Sequence, residues 1–157
     1  MWRRRGSRLL IATPGKNVRV AVCGAYRYPE GPFRFAHGPK RVNTDLFIGM
    51  LAQLAHRAQQ TGQVIVLVLD NGGAFTSNRS RAEIARLEPW LIVFWLPRYT
   101  SERLNRVEGL WGHLEDDYFS RMLTRSRGSF YPAAVSLLSR LRKPGALRKL
   151  FGPHLPI

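Results

Sequence analysis

The sequence predicts an α/β domain whose mixed sheet is flanked by helices. Three observations lead there: period-two alternation near the start, two short uninterrupted aliphatic runs in the middle, and helical periodicity between and after them. At 157 residues a single core is expected, so one domain spans 1–157. With 45% hydrophobic and 11% aromatic residues the chain can fill that core.

The elements follow in order. Asn17 to Ala25 alternates Val18, Val20 and Val22 with other residues, as a strand with one buried face does. Pro29-Glu30-Gly31-Pro32 is turn chemistry and Phe33 to Ala36 resumes the alternation, which predicts a β-hairpin. After the cap Asn43-Thr44-Asp45, the apolar residues Phe47, Met50, Leu51, Leu54 and Ala58 recur at helical spacing until Thr61-Gly62. Val64 to Leu69 is continuously apolar, the pattern of a strand buried on both faces. Asn78 or Ser80 can cap a short helix reaching Leu87, and Leu91 to Leu96 is a second buried strand closed by Pro97. Beyond a loop from Arg98 to Arg103, a longer helix carries the stripe Val107, Leu110, Trp111, Leu114, Tyr118 and Met122. Tyr131 to Arg142 reads as another amphipathic helix, and a short turn runs from Ala146 to Phe151. These basic C-terminal helices, 131–151, are expected to belong to the same unit.

Charge narrows the function. Lys and Arg number 25 against 10 Asp and Glu, a net charge of +15. Arg3, Arg4, Arg5, Arg8, Lys16 and Arg19 open the chain without an acid, and every charged residue after Asp117 is basic. Phosphate neutralisation is the commonest use of such a charge, so a polyanionic partner is expected. A basic surface that only solvates is the plainer alternative. The single cysteine, Cys23, excludes a disulfide framework and a multi-thiolate zinc site, and its apolar strand makes it a core residue. His37, His56, His113 and His154 show no metal-ligand spacing, and Trp90, Trp95 and Trp111 fall on packing faces. No apolar run is long enough to span a membrane and no signal peptide is legible, so a cytoplasmic location is expected.

Open α/β sheets bind ligands beyond the carboxyl ends of their strands, which singles out Asp70, directly after Leu69. Asp70-Asn71-Gly72-Gly73 is equally what a turn selects. Glu108 opens the Trp111 helix, where Asn105 three residues earlier also fits a capping box. One carboxylate at a strand end and one on a helix's first turn can converge on a hard cation such as Mg²⁺, whose site water and substrate phosphate complete.

From Val68-Leu69-Asp70-Asn71 and then Leu96-Pro97-Arg98-Tyr99-Thr100-Ser101-Glu102-Arg103-Leu104-Asn105-Arg106-Val107-Glu108-Gly109-Leu110-Trp111, the chain resembles the catalytic core of DDE transposases of the mariner-like superfamily, bacterial insertion-sequence branch. That family's pattern is strand-Asp-Asn, then Leu-Pro-Pro-Tyr-Ser-Pro-Glu-Leu-Asn-Pro-Ile-Glu and Leu-Trp. Val18 to Ala25, the helix from Asn43 to Leu54, and Trp2 with Gly6 are similar to further parts of it, so the resemblance covers nearly the whole chain. It implies an RNase H-like fold and metal-dependent DNA cleavage and strand transfer. It implies Asp70 and Glu108 as catalytic, metal-holding acids with Mg²⁺ or Mn²⁺. Asn71 and Asn105 would stand behind them, and Arg98, Arg103, Arg106, Arg3, Arg4 and Arg5 would meet DNA. The implied partners are transposon ends and target DNA, with a homodimer as a further option and the bacterial nucleoid as the place.

The departures are as specific as the match. Family members carry their first catalytic Asp at the end of a strand upstream of the stretch resembling Trp2 to Gly6; this sequence starts after that point, so the first strand is expected to be missing and the chain inactive alone. Phe75 stands where the family often has His, and Ser101 and Arg106 where Pro is usual. Arg103 looks like an extra residue, and 71–107 is slightly longer than the family's usual spacing. The reading from another class is a non-catalytic basic nucleic-acid-binding domain that needs neither carboxylate.

Overall fold

The computed structural model describes residues 19–27, 31–120, 122, 127–143 and 145–147. β1 (Ala21–Tyr26) and β2 (Phe33–Gly38) form the expected antiparallel hairpin, with Ala21 opposite Gly38 and Tyr26 opposite Phe33. Direct partners share a face, so Ala21 and Cys23 lie on one face and Phe33 and Phe35 on the other; all four are buried. The single buried face expected from the valines is therefore corrected: Val22 is only half-buried, and Val18 lies outside the described residues. The reason is that the face of Phe33 and Phe35 is covered as well. Phe33 meets the Trp111 ring edge-on at 5.7 Å, and the Arg142 guanidinium sits 4.4 Å over Phe35.

α1 (Thr44–Thr61) has the limits and buried stripe that the periodicity predicts, Phe47, Met50, Leu51, Leu54 and Ala58. Asn43 accepts a hydrogen bond from the Leu46 N–H at 2.9 Å, and Gly62, at φ 64°, ends the helix in the left-handed region. β3 (Ile65–Leu69) and β4 (Leu91–Trp95) pair in parallel, Ile65 opposite Leu91 and Leu69 opposite Trp95. Parallel strands need a crossover, supplied by α2 (Gly73–Thr76) and α3 (Asn78–Arg86). The α3 cap is Ser77, not Asn78 or Ser80; Ser80 is fully buried and its hydroxyl donates to the Ala74 carbonyl at 2.6 Å.

Burial on both faces does not hold for the parallel pair. Leu67, Leu69 and Leu91 are buried, whereas Val66 (65%), Ile92 (53%) and Phe94 (60%) are exposed. A continuous aliphatic run cannot tell one covering layer from two, and here the later helices turn to the hairpin instead. α4 (Ser101–Leu104) takes up the second half of the expected loop, and α5 (Arg106–Leu114) continues into a π-helical turn over Glu115–Phe119. α6 (Arg127–Arg140) starts before Tyr131 and carries Pro132 inside it. Its Leu138, with Leu141 and Leu147 beyond it, joins the core that holds Leu51, Leu91 and Leu110.

The fold is thus a mixed α/β arrangement with the expected order of main elements. Antiparallel and parallel pairing both occur, in two separate two-stranded sheets. Between β1 and β3 lies a slot made of two cavities of about 380 and 250 Å³. Leu54, Arg57 and Thr61 of α1 line one end, and Val107 and Trp111 of α5 line the other.

Candidate functional site

β3 ends at Leu69, and its last carbonyl accepts from the Leu96 N–H at 2.8 Å, extending the parallel ladder one residue past β4. Asp70 leaves the sheet there, half-buried. Its Oδ1 accepts from the Gly72 N–H at 2.9 Å, so the turn that the sequence allows is present. That bond fixes the carboxylate and leaves Oδ2 outside the turn. Gly72 permits the approach, because a Cβ there would sit 3.1 Å from the same oxygen. Asn71 donates from Nδ2 to the Leu96 carbonyl at 2.7 Å and ties the Asp70 turn to the end of β4.

The second carboxylate arrives on α5. Asn105 caps that helix by accepting from the Val107 N–H at 3.4 Å, and its carbonyl accepts from the Glu108 N–H at 3.0 Å. Glu108 is exposed on the first turn, where the helix N-terminus favours negative charge. Trp111, one turn further along the same side, packs on Phe33 and against Gly24, which anchors the helix to the hairpin.

Asp70 and Glu108 line the same cavity, the 250 Å³ end of the slot, together with Asn105 and Arg106. The two sequence candidates, far apart in the chain, are thereby brought to one cleft. A third acid does not join them: among the described residues no group of three or more His, Cys, Asp or Glu could hold a metal ion. Asp45 instead pairs with Arg79 at 2.9 Å on the first turn of α1. Cys23 also lines the cleft, and burial, helped by the charge of Asp70, pushes its thiol up to about 12. It stays a neutral core thiol and offers no thiolate.

Asp70 also borders a wider, open cavity of about 580 Å³, shared with Asn71, Thr76, Arg81, Arg98 and Tyr99. Arg98 and Arg106 therefore lie beside the acids, whereas Arg103, exposed at the end of α4, lines neither cavity. Arg3, Arg4 and Arg5 lie outside the described residues, as does Trp2. Phe75, in the place of the family's His, packs against Phe47 with the rings tilted at 54° and their centroids 4.7 Å apart. Trp90, Trp95 and Trp111 pack against the core as expected, and His56 is exposed and bonded to Gln60. The sequence reading did not single out Arg81 and Tyr99. Arg81 follows from the Ser77 cap, which sets its place on the first turns of α3; no sequence signal marks the backbone of Tyr99.

The chain belongs to the DDE superfamily endonucleases, whose family pattern it matches over residues 1–129. It is 30% identical over 117 residues to the insertion element IS630 uncharacterized 39 kDa protein of Shigella sonnei. That similarity covers 73% of this chain and 32% of that protein, so the chain spans about a third of its relative's length. These matches bear out the resemblance to an insertion-sequence family of DDE transposases. A chain of the simian T-cell lymphotropic virus intasome in complex with PP2A regulatory subunit B56 gamma, solved by cryo-electron microscopy, is similar at 13% identity and a TM-score of 0.41. The similarity covers 98% of this chain and 63% of that one. Among the described residues no helix is long and apolar enough to cross a membrane.

Proposed function

We propose that this chain is part of a DNA transposase with an RNase H-like core, and that Asp70 and Glu108 are two of its metal-holding, catalytic acids. The observation that carries the reading is that a strand end and a helix start, separate in sequence, bring these two carboxylates to one cleft. The donor set suits Mg²⁺ or Mn²⁺: hard oxygens only, the one nearby thiol held neutral, and an open cleft with room for water and a phosphate. Held by Asp70 and Glu108, such an ion would supply Lewis-acid activation of water, and then of a 3′ hydroxyl, for in-line attack at phosphorus, the cleavage and joining chemistry of transposition. The chain's own residues do the placing. The Gly72 N–H orients Asp70, Asn71 fixes the Asp70 turn against β4, Asn105 sets the start of α5, and Arg98 and Arg106 offer cations to DNA phosphates on either side. Arg103 and the basic flank Arg3, Arg4 and Arg5 add to backbone binding, and residues 131–151 belong to the same unit.

Among the described residues two carboxylates meet at this cleft, fewer than this chemistry uses, and the proposal includes that the chain alone does not cleave DNA. The slot between β1 and β3 supports this reading, because an added strand there would bring another side chain next to Asp70. Assembly as a dimer on transposon ends and target DNA, at the bacterial nucleoid, completes the proposal.

The test combines DNA binding and plasmid nicking with the purified chain. Mg²⁺ should strengthen DNA binding in the wild type and fail to do so in Asp70→Asn and Glu108→Gln, while no nicking occurs. Binding indifferent to Mg²⁺ and to both substitutions sinks the metal-site reading and leaves the basic nucleic-acid-binding domain. Mg²⁺-dependent nicking that Asp70→Ala abolishes overturns the inactivity of the isolated chain.

A further inference from the structure

Tyr99 is held in a conformation that folding alone does not reward. Its φ is 61°, the left-handed region that a bulky residue avoids. Its side chain is fully exposed, at 102%, so burial returns nothing for that strain. The loop is not loose. Asn71 Nδ2 holds the Leu96 carbonyl at 2.7 Å, Thr100 Oγ1 donates to the Pro97 carbonyl at 2.7 Å, and the Thr100 carbonyl accepts from the Arg103 and Leu104 N–H groups at 3.1 and 2.9 Å. Both sides of Tyr99 are thus pinned, and an aromatic ring is presented to solvent on a fixed base. It borders the open 580 Å³ cavity whose other margins carry Arg81, Arg98 and Asp70. Arg81 is itself anchored, its Nε donating to the Thr76 carbonyl at 3.0 Å, which leaves both terminal nitrogens as further donors.

A flat exposed ring next to two guanidinium groups matches one nucleotide that has left its stack. The base lies on the ring and the arginines take the flanking phosphates. Intact duplex hides its base faces and gains only the arginine contacts. Asp70 in the same cavity places that nucleotide immediately beside the proposed cleavage site. We infer that Tyr99, with Arg81 and Arg98, forms a binding site for an unpaired nucleotide of DNA next to Asp70. This rests on the proposed DNA-processing function and adds to it a preference for unpaired DNA, with Tyr99 as the binding residue that sets it.

The experiment measures binding of the full chain to oligonucleotides carrying 2-aminopurine, either in a blunt duplex or in an unpaired end of the same sequence. The wild type should bind the unpaired end more tightly than the duplex and quench its fluorescence. Tyr99→Ala and Tyr99→Gly should weaken binding to the unpaired end by roughly tenfold and abolish the quench, with duplex affinity unchanged within about twofold. Tyr99→Phe should keep both, and Tyr99→Gly controls for backbone strain because glycine accepts this φ. Arg81→Ala and Arg98→Ala should each lower the salt dependence of binding by about one phosphate contact on the unpaired end. Equal loss on duplex and unpaired DNA in Tyr99→Ala, or no loss on either, overturns the site. So does tighter binding of the matching unpaired RNA. Absence of salt-dependent binding by the wild type to any DNA instead overturns the proposed function itself, so the two failures are distinguishable.

Discussion

Substitution of Gly24 by Ala should destabilise the protein and displace the helix that carries Glu108. A Cβ at position 24 would lie 2.7 Å from Phe33 Cζ, 2.7 Å from Trp111 Cζ2 and 2.8 Å from Phe33 Cε2, against 3.4–4 Å for ordinary contact. Both rings must therefore give way by most of an ångström, and Phe33 is fully buried while Trp111 is half-buried against the core. Overpacking of this kind costs about 1–3 kcal/mol. With a urea dependence of about 2 kcal/mol per molar, a 2 kcal/mol loss lowers the unfolding midpoint by about 1 M. Circular dichroism during urea titration measures it, and a Trp111→Phe background supplies the cycle. Removing the indole's outer ring should reduce the cost of Gly24→Ala by at least about 0.5 kcal/mol, since contacting residues are not additive. Trp111 lies three residues after Glu108, so the same substitution should weaken Mg²⁺-dependent DNA binding while salt-dependent binding persists. A midpoint shift below about 0.2 M, or a cost unchanged in the Trp111→Phe background, would refute the packing argument.

Three further outcomes are expected. Ser80→Ala should cost about 1–3 kcal/mol in denaturant titration, because the fully buried hydroxyl's bond to the Ala74 carbonyl is lost and Ser77 loses a partner at 2.9 Å. Stability should fall as pH rises from about 9 toward about 12: the Cys23 thiol stays protonated in the fold and ionises when unfolded, so the contribution is complete below the unfolded value and is lost above it. A Cys23→Ala variant measured over the same pH range should lose that slope; an unchanged slope assigns it elsewhere. Phe94→Thr and Ile92→Thr, both on the exposed sheet face, should change the midpoint little while lowering dye binding to apolar surface and self-association, and a large loss of stability would show that this face is covered in solution.

Where the controlling interactions are local, the sequence made the structure legible. α1 is the clearest case: its Asn43 cap, its five predicted buried residues and its Gly62 stop all depend on neighbours within one or two turns. The Asp70 turn and the Asn105 cap were legible for the same reason, since each is a short-range bond between a side chain and nearby backbone. What failed was information about layers. The valines of β1 and the aliphatic runs of β3 and β4 record that the strands are apolar, but which faces are covered depends on where α5 and α6 dock. That docking is decided by a few distant contacts, Trp111 on Phe33 and Arg142 on Phe35, which no periodicity encodes.

The same distinction explains why the candidate site was half legible. A carboxylate after a buried strand and another at a helix start are local patterns, and each had a sufficient local explanation as a turn or a cap. The Asp70 turn and the Asn105 cap both hold in the structure, yet they do not compete with the site: the turn bond orients the Asp70 carboxylate, and the cap sets the start of the helix that carries Glu108. Asp70 uses one oxygen on Gly72, and the Glu108 backbone N–H donates to the Asn105 carbonyl. Convergence on one cleft is the added fact, and it depends on Gly24 being small enough to let Trp111 bring α5 against the hairpin. A glycine in a strand, which the sequence shows only as a weak β-former, thus sets the position of a carboxylate on another element.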